Sequence, residues 1–207
     1  MNTLHHFGDS YGTTMQGVKH FVEIISDSLG YEYGRYSEGG YSNEQILHKF
    51  LNYIYLIKPN DIVFFNFSFF TRGCYYDLEN NKIESTNKIY NNDNKTFINE
   101  IEKQYIYQII NYQLENTEDY NRKIFLNFDI IFKLLIERNV KIYYIFVEND
   151  DFLPPLLKNG INIKFENGFK NWLYSMDYHK NEICHYTNGV QPLISSHIIN
   201  HMKCIIQ

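Results

Sequence analysis

The chain of 207 residues carries 24 acidic side chains against 19 Lys and Arg, a net charge of −5, with no basic cluster. A nucleic-acid partner is therefore not expected, because meeting phosphates takes a basic stripe. No basic flank leads into an apolar N-terminus and no run of about eighteen uncharged apolar residues occurs, so signal peptide, spanning helix and membrane partner are all unexpected.

One domain is expected at this length. Cys74, Cys184 and Cys204 are odd in number and irregularly spaced, which reads as reduced thiols and not as a disulfide frame or a metal site. A cytoplasmic location follows, with association to a virion as the alternative. Ala is absent while Asn, Ile, Lys and Tyr abound, the mark of AT-rich coding, so aromatic richness alone is no ligand signal.

Taken in chain order, residues 3–7 form a first apolar strand, closed by Gly8-Asp9-Ser10. Residues 13–29 follow with Val18, Phe21, Val22, Ile25 and Leu29 on one helical face. A short strand over 31–36 leads to Gly39-Gly40. The next helix, 43–56, presents Ile46, Leu47, Phe50, Tyr53 and Ile54 and is broken by Pro59-Asn60. Residues 61–67 are an unbroken apolar run, as a buried central strand requires. A polar stretch over 73–95 has little apolar surface to bury and is expected as a surface excursion, either an inert loop or a flap. Helical patterns occupy 97–114 and 118–138, and a second buried strand 141–147. Pro154-Pro155 marks a loop, and a weaker strand (161–165), a short helix (169–176) and a terminal helix (188–202) complete the chain. Tyr105, Tyr107 and Tyr112 have near-helical spacing, which favours core packing over a sugar-stacking surface.

The alternation predicts a three-layer α/β/α sandwich around a central, mainly parallel, flavodoxin-like sheet. Ligands bind such sheets at the carboxyl ends of the strands. Ser10, Gly39-Gly40, residues 66–72 and residues 148–151 all fall there. A Ser after a strand and a tight Gly turn is presented as a nucleophile, although Asp9 or Ser10 could equally cap a helix. The second signal is Glu182-Ile-Cys-His185, followed by Ile194 and Ile198.

In these segments, and over residues 7–12, 39–46 and 182–198, the chain resembles the SGNH (GDSL-type) hydrolase superfamily. The resemblance implies a serine esterase or acylhydrolase acting on an O-acyl ester such as acetyl, on a small molecule or a glycan, with no cofactor. It makes Ser10 the nucleophile and His185 the base, with His179 as a competitor. The family's usual Asp before the His is absent here. Glu182 is one candidate for the acid and Asp177 another, and a Ser-His dyad or a backbone carbonyl are further options. Oxyanion donors are expected from the Ser10 N–H, the Gly40 N–H and a side chain after the third strand. The usual Gly-x-Asn-Asp is missing there, and Asn66 and Ser68 are the candidates, with Arg72 downstream. Two other classes remain open. One is an eroded binding or structural module, such as a virion or surface-assembly component. The other is a flavodoxin-like binding domain, for which residues 8–12 are thin in phosphate-binding chemistry. His5 and His6, inside a strand, are expected buried and hydrogen-bonded, and His197 and His201 solvent-facing.

Overall fold

A computed structural model describes residues 1–9, 19–77, 82–86, 100–147, 157–165, 168–175 and 190–206. Its elements are β1 (Thr3–Gly8), α1 (Phe21–Leu29), β2 (Glu32–Arg35), α2 (Asn43–Tyr53), β3 (Ile62–Phe67), β4 (Cys74–Asp77), β5 (Lys82–Ser85), α3 (Glu100–Glu115), α4 (Thr117–Glu137), β6 (Lys141–Phe146), β7 (Ile161–Asn162), α5 (Phe169–Ser175) and α6 (Val190–Ile206). Five strands form one sheet in the order β2-β1-β3-β6-β7, and every pairing in it is parallel.

The central strands read as continuous apolar runs because helices cover both faces, and alternate side chains go to opposite layers. Phe7, Val63, Phe65, Phe67, Tyr144 and Phe146 meet α2 and α4 through Phe50, Phe125, Phe128 and Phe132. Leu4, Ile62, Phe64, Tyr143 and Ile145 face the other way, against Phe21 and Ile25 of α1, Phe169 of α5 and Ile194 and Ile198 of α6. This is the expected three-layer sandwich.

Local chemistry sets the helix ends. Ser42 and Gln45 make a reciprocal capping box at the start of α2, which then runs into a 3₁₀ turn at Ile54–Leu56. His20 caps α1, its Nδ1 accepting the Val22 N–H at 3.2 Å, and Gly30 ends it in the left-handed region at φ 70°. The N-terminus of α1 is held from across the layer, where the Phe21 N–H donates to Gln191 Oε1 of α6 at 2.8 Å.

Several expectations differ from what is found; the strand expected over 161–165, for one, is only Ile161–Asn162. The polar stretch over 73–95 contains an antiparallel hairpin, β4 on β5, with Cys74, Tyr75, Asp77, Glu84 and Ser85 buried. Tyr75 packs on Ile106 and Ile110 of α3. Because α3 rests on this hairpin and not on the main core, it buries only a narrow stripe, and Tyr105, Tyr107 and Tyr112 stay 42%, 44% and 57% exposed. His197, expected in solvent, is half-buried against Phe165 with ring centroids 4.5 Å apart. Among the described residues no helix is long and apolar enough to cross a membrane.

Candidate active site

At the carboxyl end of the sheet Gly8 of β1 lies beside Asn66 of β3. With no side chain on Gly8, the Asn66 carboxamide can lie across β1. Its Nδ2 donates to Asp9 Oδ1 at 2.9 Å, and its Oδ1 meets His6 Nε2 at 2.6 Å. A carboxylate only accepts, so the amide nitrogen must face Asp9 and the oxygen must face His6. His6 Nε2 therefore carries the hydrogen, and its Nδ1 accepts from the Tyr33 hydroxyl at 3.0 Å.

His6 is fully buried, and that desolvation holds its imidazole down to about 3, against the upward pull of the Asn66 bond and with some help from Arg35. It is neutral at any physiological pH. Burial also raises the Tyr33 phenol, which stays a donor. The His6 ring stacks on His20 at 4.9 Å. Both strand histidines behave as expected, since His5 is also buried and bonds Asp61 Oδ2 at 3.0 Å, near the opposite end of the sheet.

The second Asp9 oxygen is held as firmly. Oδ2 accepts from Arg72 Nη1 at 2.7 Å and from Ser68 Oγ at 3.1 Å, while Arg72 Nη1 also reaches Ser68 Oγ at 3.1 Å. Asp9 is fully buried and the Arg72 side chain 16% exposed. A buried charge of this kind survives only when paired and hydrogen-bonded on its remaining lone pairs. The segment supplying Ser68 and Arg72 is itself fixed. Asn43 Oδ1 accepts the Ser68 N–H at 2.7 Å and its Nδ2 donates to the Ser68 carbonyl at 3.2 Å. Asn121 Nδ2 of α4 holds the Phe70 carbonyl at 2.7 Å, and the Arg72 guanidinium lies 4.6 Å from the Phe69 ring centroid.

Ser10, His185 and Glu182, with the alternatives His179 and Asp177, lie outside the described residues. Asp9, which directly precedes Ser10, is inside them. Gly40 follows β2 at φ 83°, a conformation suited to Gly. The loop that carries it is tied to β1 by the Glu38 N–H, which donates to the Gly8 carbonyl at 3.1 Å. Asn66 and Ser68 do reach this rim, but the Asn66 amide and the Ser68 hydroxyl donate to Asp9. The Asp9 carboxylate, already paired with Arg72, thus takes a hydrogen from each of the two side chains expected as oxyanion donors. Asp9 was read only as a helix cap, yet α1 is capped by His20. The sequence singles out Asn66, Ser68 and Arg72 after the third strand, but not Asp9 as the partner they share.

All the described donors in this cluster point one way, from Tyr33 through His6 and Asn66, and from Ser68 and Arg72, onto Asp9. Such a chain polarises each bond in turn and rigidifies the main chain that carries its acceptor. It suits the site for holding a backbone position rather than for moving a proton.

No protein-family model matches the sequence, and no curated protein does. Solved structures do. A member of the lipolytic protein G-D-S-L family from Veillonella parvula is 14% identical, with 97% of each chain covered and a TM-score of 0.53. A Bacillus subtilis protein is 10% identical at a TM-score of 0.51, and the match covers 98% of this chain but 56% of that one. With its parallel sheet between two helical layers and these likenesses over nearly all of its length, the chain has the fold of the SGNH (GDSL-type) hydrolases.

Proposed function

We propose that the chain is a serine ester hydrolase that removes an O-acyl group, such as acetyl, from a carbohydrate. In this reading Ser10 attacks the acyl carbonyl while His185 takes its proton. The imidazolium then returns that proton to the departing alcohol, and water releases the acid in a second, equivalent step. Glu182 orients the imidazole through its other nitrogen. The Ser10 and Gly40 backbone N–H groups receive the developing oxyanion. Asn66 and Ser68 act one step back, by holding Asp9.

The observation that carries this reading is the clamp on Asp9, bonded on both oxygens by Asn66, Ser68 and Arg72. It fixes the residue before Ser10 at the strand end where sheets of this kind hold their ligands, and preorganised placement of a nucleophile is worth several orders of magnitude in rate. One observation favours a second reading, a binding or structural module that keeps the fold without the chemistry: the two side chains expected to meet the oxyanion each give a hydrogen to Asp9.

Fluorophosphonate labelling followed by mass mapping separates the two. The hydrolase reading expects label on Ser10, lost in Ser10→Ala and His185→Ala. A native chain that takes no label leaves the module, and label on another serine would replace Ser10 as the nucleophile.

A further inference from the structure

A cleft of about 550 Å³ lies between the β4–β5 hairpin and α3, well within the size of small-molecule sites. Its wall includes Tyr75, Tyr76, Tyr105, Tyr112 and Tyr120. Tyr76, Tyr105 and Tyr112 are each two-fifths or more exposed, so aromatic surface that a core would have covered stands open around a cavity.

Polar acceptors border the same space. Glu44 Oε2 accepts the Cys74 thiol at 2.8 Å and also the Tyr120 hydroxyl. Gln113 Nε2 donates to the Cys74 carbonyl at 2.7 Å, which fixes the amide's orientation and leaves its Oε1 packed against Gly73 with no hydrogen-bond partner among the described residues.

The lining narrows the ligand class. No Lys or Arg is among the described lining residues, and the Glu44 carboxylate repels anions, which disfavours phosphates and nucleotides as ligands. A wholly apolar ligand would strip water from the partly exposed Glu44 carboxylate without replacing it. A sugar ring fits both demands, with C–H faces for the tyrosine rings and a rim of hydroxyl donors for the acceptors.

The cleft is linked along the chain to the Asp9 cluster. Glu44 is the neighbour of Asn43, which grips Ser68, and Cys74 comes two residues after Arg72, which pairs with Asp9.

We propose that this tyrosine-lined cleft is a carbohydrate subsite that holds the glycan on the alcohol side of the ester. The assignment to the alcohol side rests on the hydrolase reading; the sugar binding does not. The test is calorimetric titration of the full chain with xylohexaose, cellohexaose and chitohexaose, and with choline as a compact cation suited to aromatic cages. At least one oligosaccharide should bind. Its affinity should fall about tenfold or more in Tyr105→Ala and Tyr112→Ala, and stay within about threefold in Tyr105→Phe, which keeps the ring. Thermal melts of the variants check the fold, and Tyr105→Phe keeps the comparison interpretable should an Ala variant unfold. Ser10→Ala should bind the oligosaccharide like the native chain. Tyrosine-dependent sugar binding by a native chain that fluorophosphonate does not label would remove the hydrolase and leave the subsite standing. Binding of none of the three sugars, sugar binding indifferent to both tyrosines, or tyrosine-dependent binding of choline alone would overturn the proposal.

Discussion

The Asn66 carboxamide occupies the place where a side chain on Gly8 would stand: a Cβ there would come 1.8 Å from Asn66 Oδ1 and 2.6 Å from Nδ2. The residue before Asp9 is therefore Gly for want of room, since the amide that clamps Asp9 passes directly over it.

Gly8→Ala should accordingly destabilise the fold by about 1–3 kcal/mol, the usual cost of forcing atoms into a packed site, measured by urea unfolding. In an Asn66→Ala background the same change should cost much less, with a coupling of roughly 0.5–3 kcal/mol. Additive costs would mean that the two residues do not compete for one space.

Arg72 faces a buried carboxylate, so Arg72→Met leaves Asp9 with an uncompensated charge. A loss of about 3–5 kcal/mol is expected, as for other buried pairs broken from one side. Pairing Arg72→Met with Asp9→Asn should recover much of it. If the single variant unfolds at the native urea midpoint, the pair contributes nothing.

His6 gives a pH dependence of definite sign. Its imidazole titrates near 3 in the folded chain because it is buried, and near ~6.5 when unfolded. The unfolded state thus binds more protons below about 6.5, and stability falls as pH drops from there toward 3, by about 1.4 kcal/mol per pH unit. Between pH 7 and pH 5 the loss is about 2 kcal/mol. His6→Gln, which can still donate to Asn66, should flatten this part of the profile; an unchanged slope would assign the acid sensitivity to other groups.

For the proposed acid, Glu182→Gln should lower kcat by about 10²–10⁴ with KM little changed, since a misdirected imidazole harms the transition state and not substrate binding. Near-native turnover on an aryl acetate would turn attention to Asp177 or to a dyad.

Cys74 should resist alkylation. Burial is the main cause pushing its thiol well above the ordinary cysteine range, and the Glu44 carboxylate beside it adds to the effect, so little thiolate exists at neutral pH. Iodoacetamide at pH 8 should leave it unmodified in the folded chain and modify it in urea. Rapid labelling at Cys74 in the native protein would contradict the burial.

The elements legible in the sequence are those in which one window holds the whole cause. Ile62–Phe67 and Lys141–Phe146 are apolar throughout because both their faces are covered, and Ser42 with Gln45 three residues on is a complete capping signal. The hairpin was hidden because Cys74–Asp77 and Lys82–Ser85 are short and carry Asp77 and Glu84 into buried positions. The Asp9 clamp was hidden for a different reason. Asn66 and Asp9 stand 57 residues apart, and only the register that sets Gly8 beside Asn66 brings them together. Gly8 alone reads as a turn, and Asp9 alone as a cap.

The hydrogen bond from the Phe21 backbone to Gln191, spanning 170 residues, bears on how the molecule comes together during synthesis. The α2 and α4 layer is encoded between β1 and β6 and can close on the sheet while the ribosome is still working. The opposite face, with Leu4, Phe64 and Ile145 on it, has only α1 and then the short α5 to cover it until α6 has been made. Translation pauses or C-terminal truncations before α6 therefore leave an apolar sheet surface bare, and nascent chains caught there are candidates for chaperone capture or aggregation.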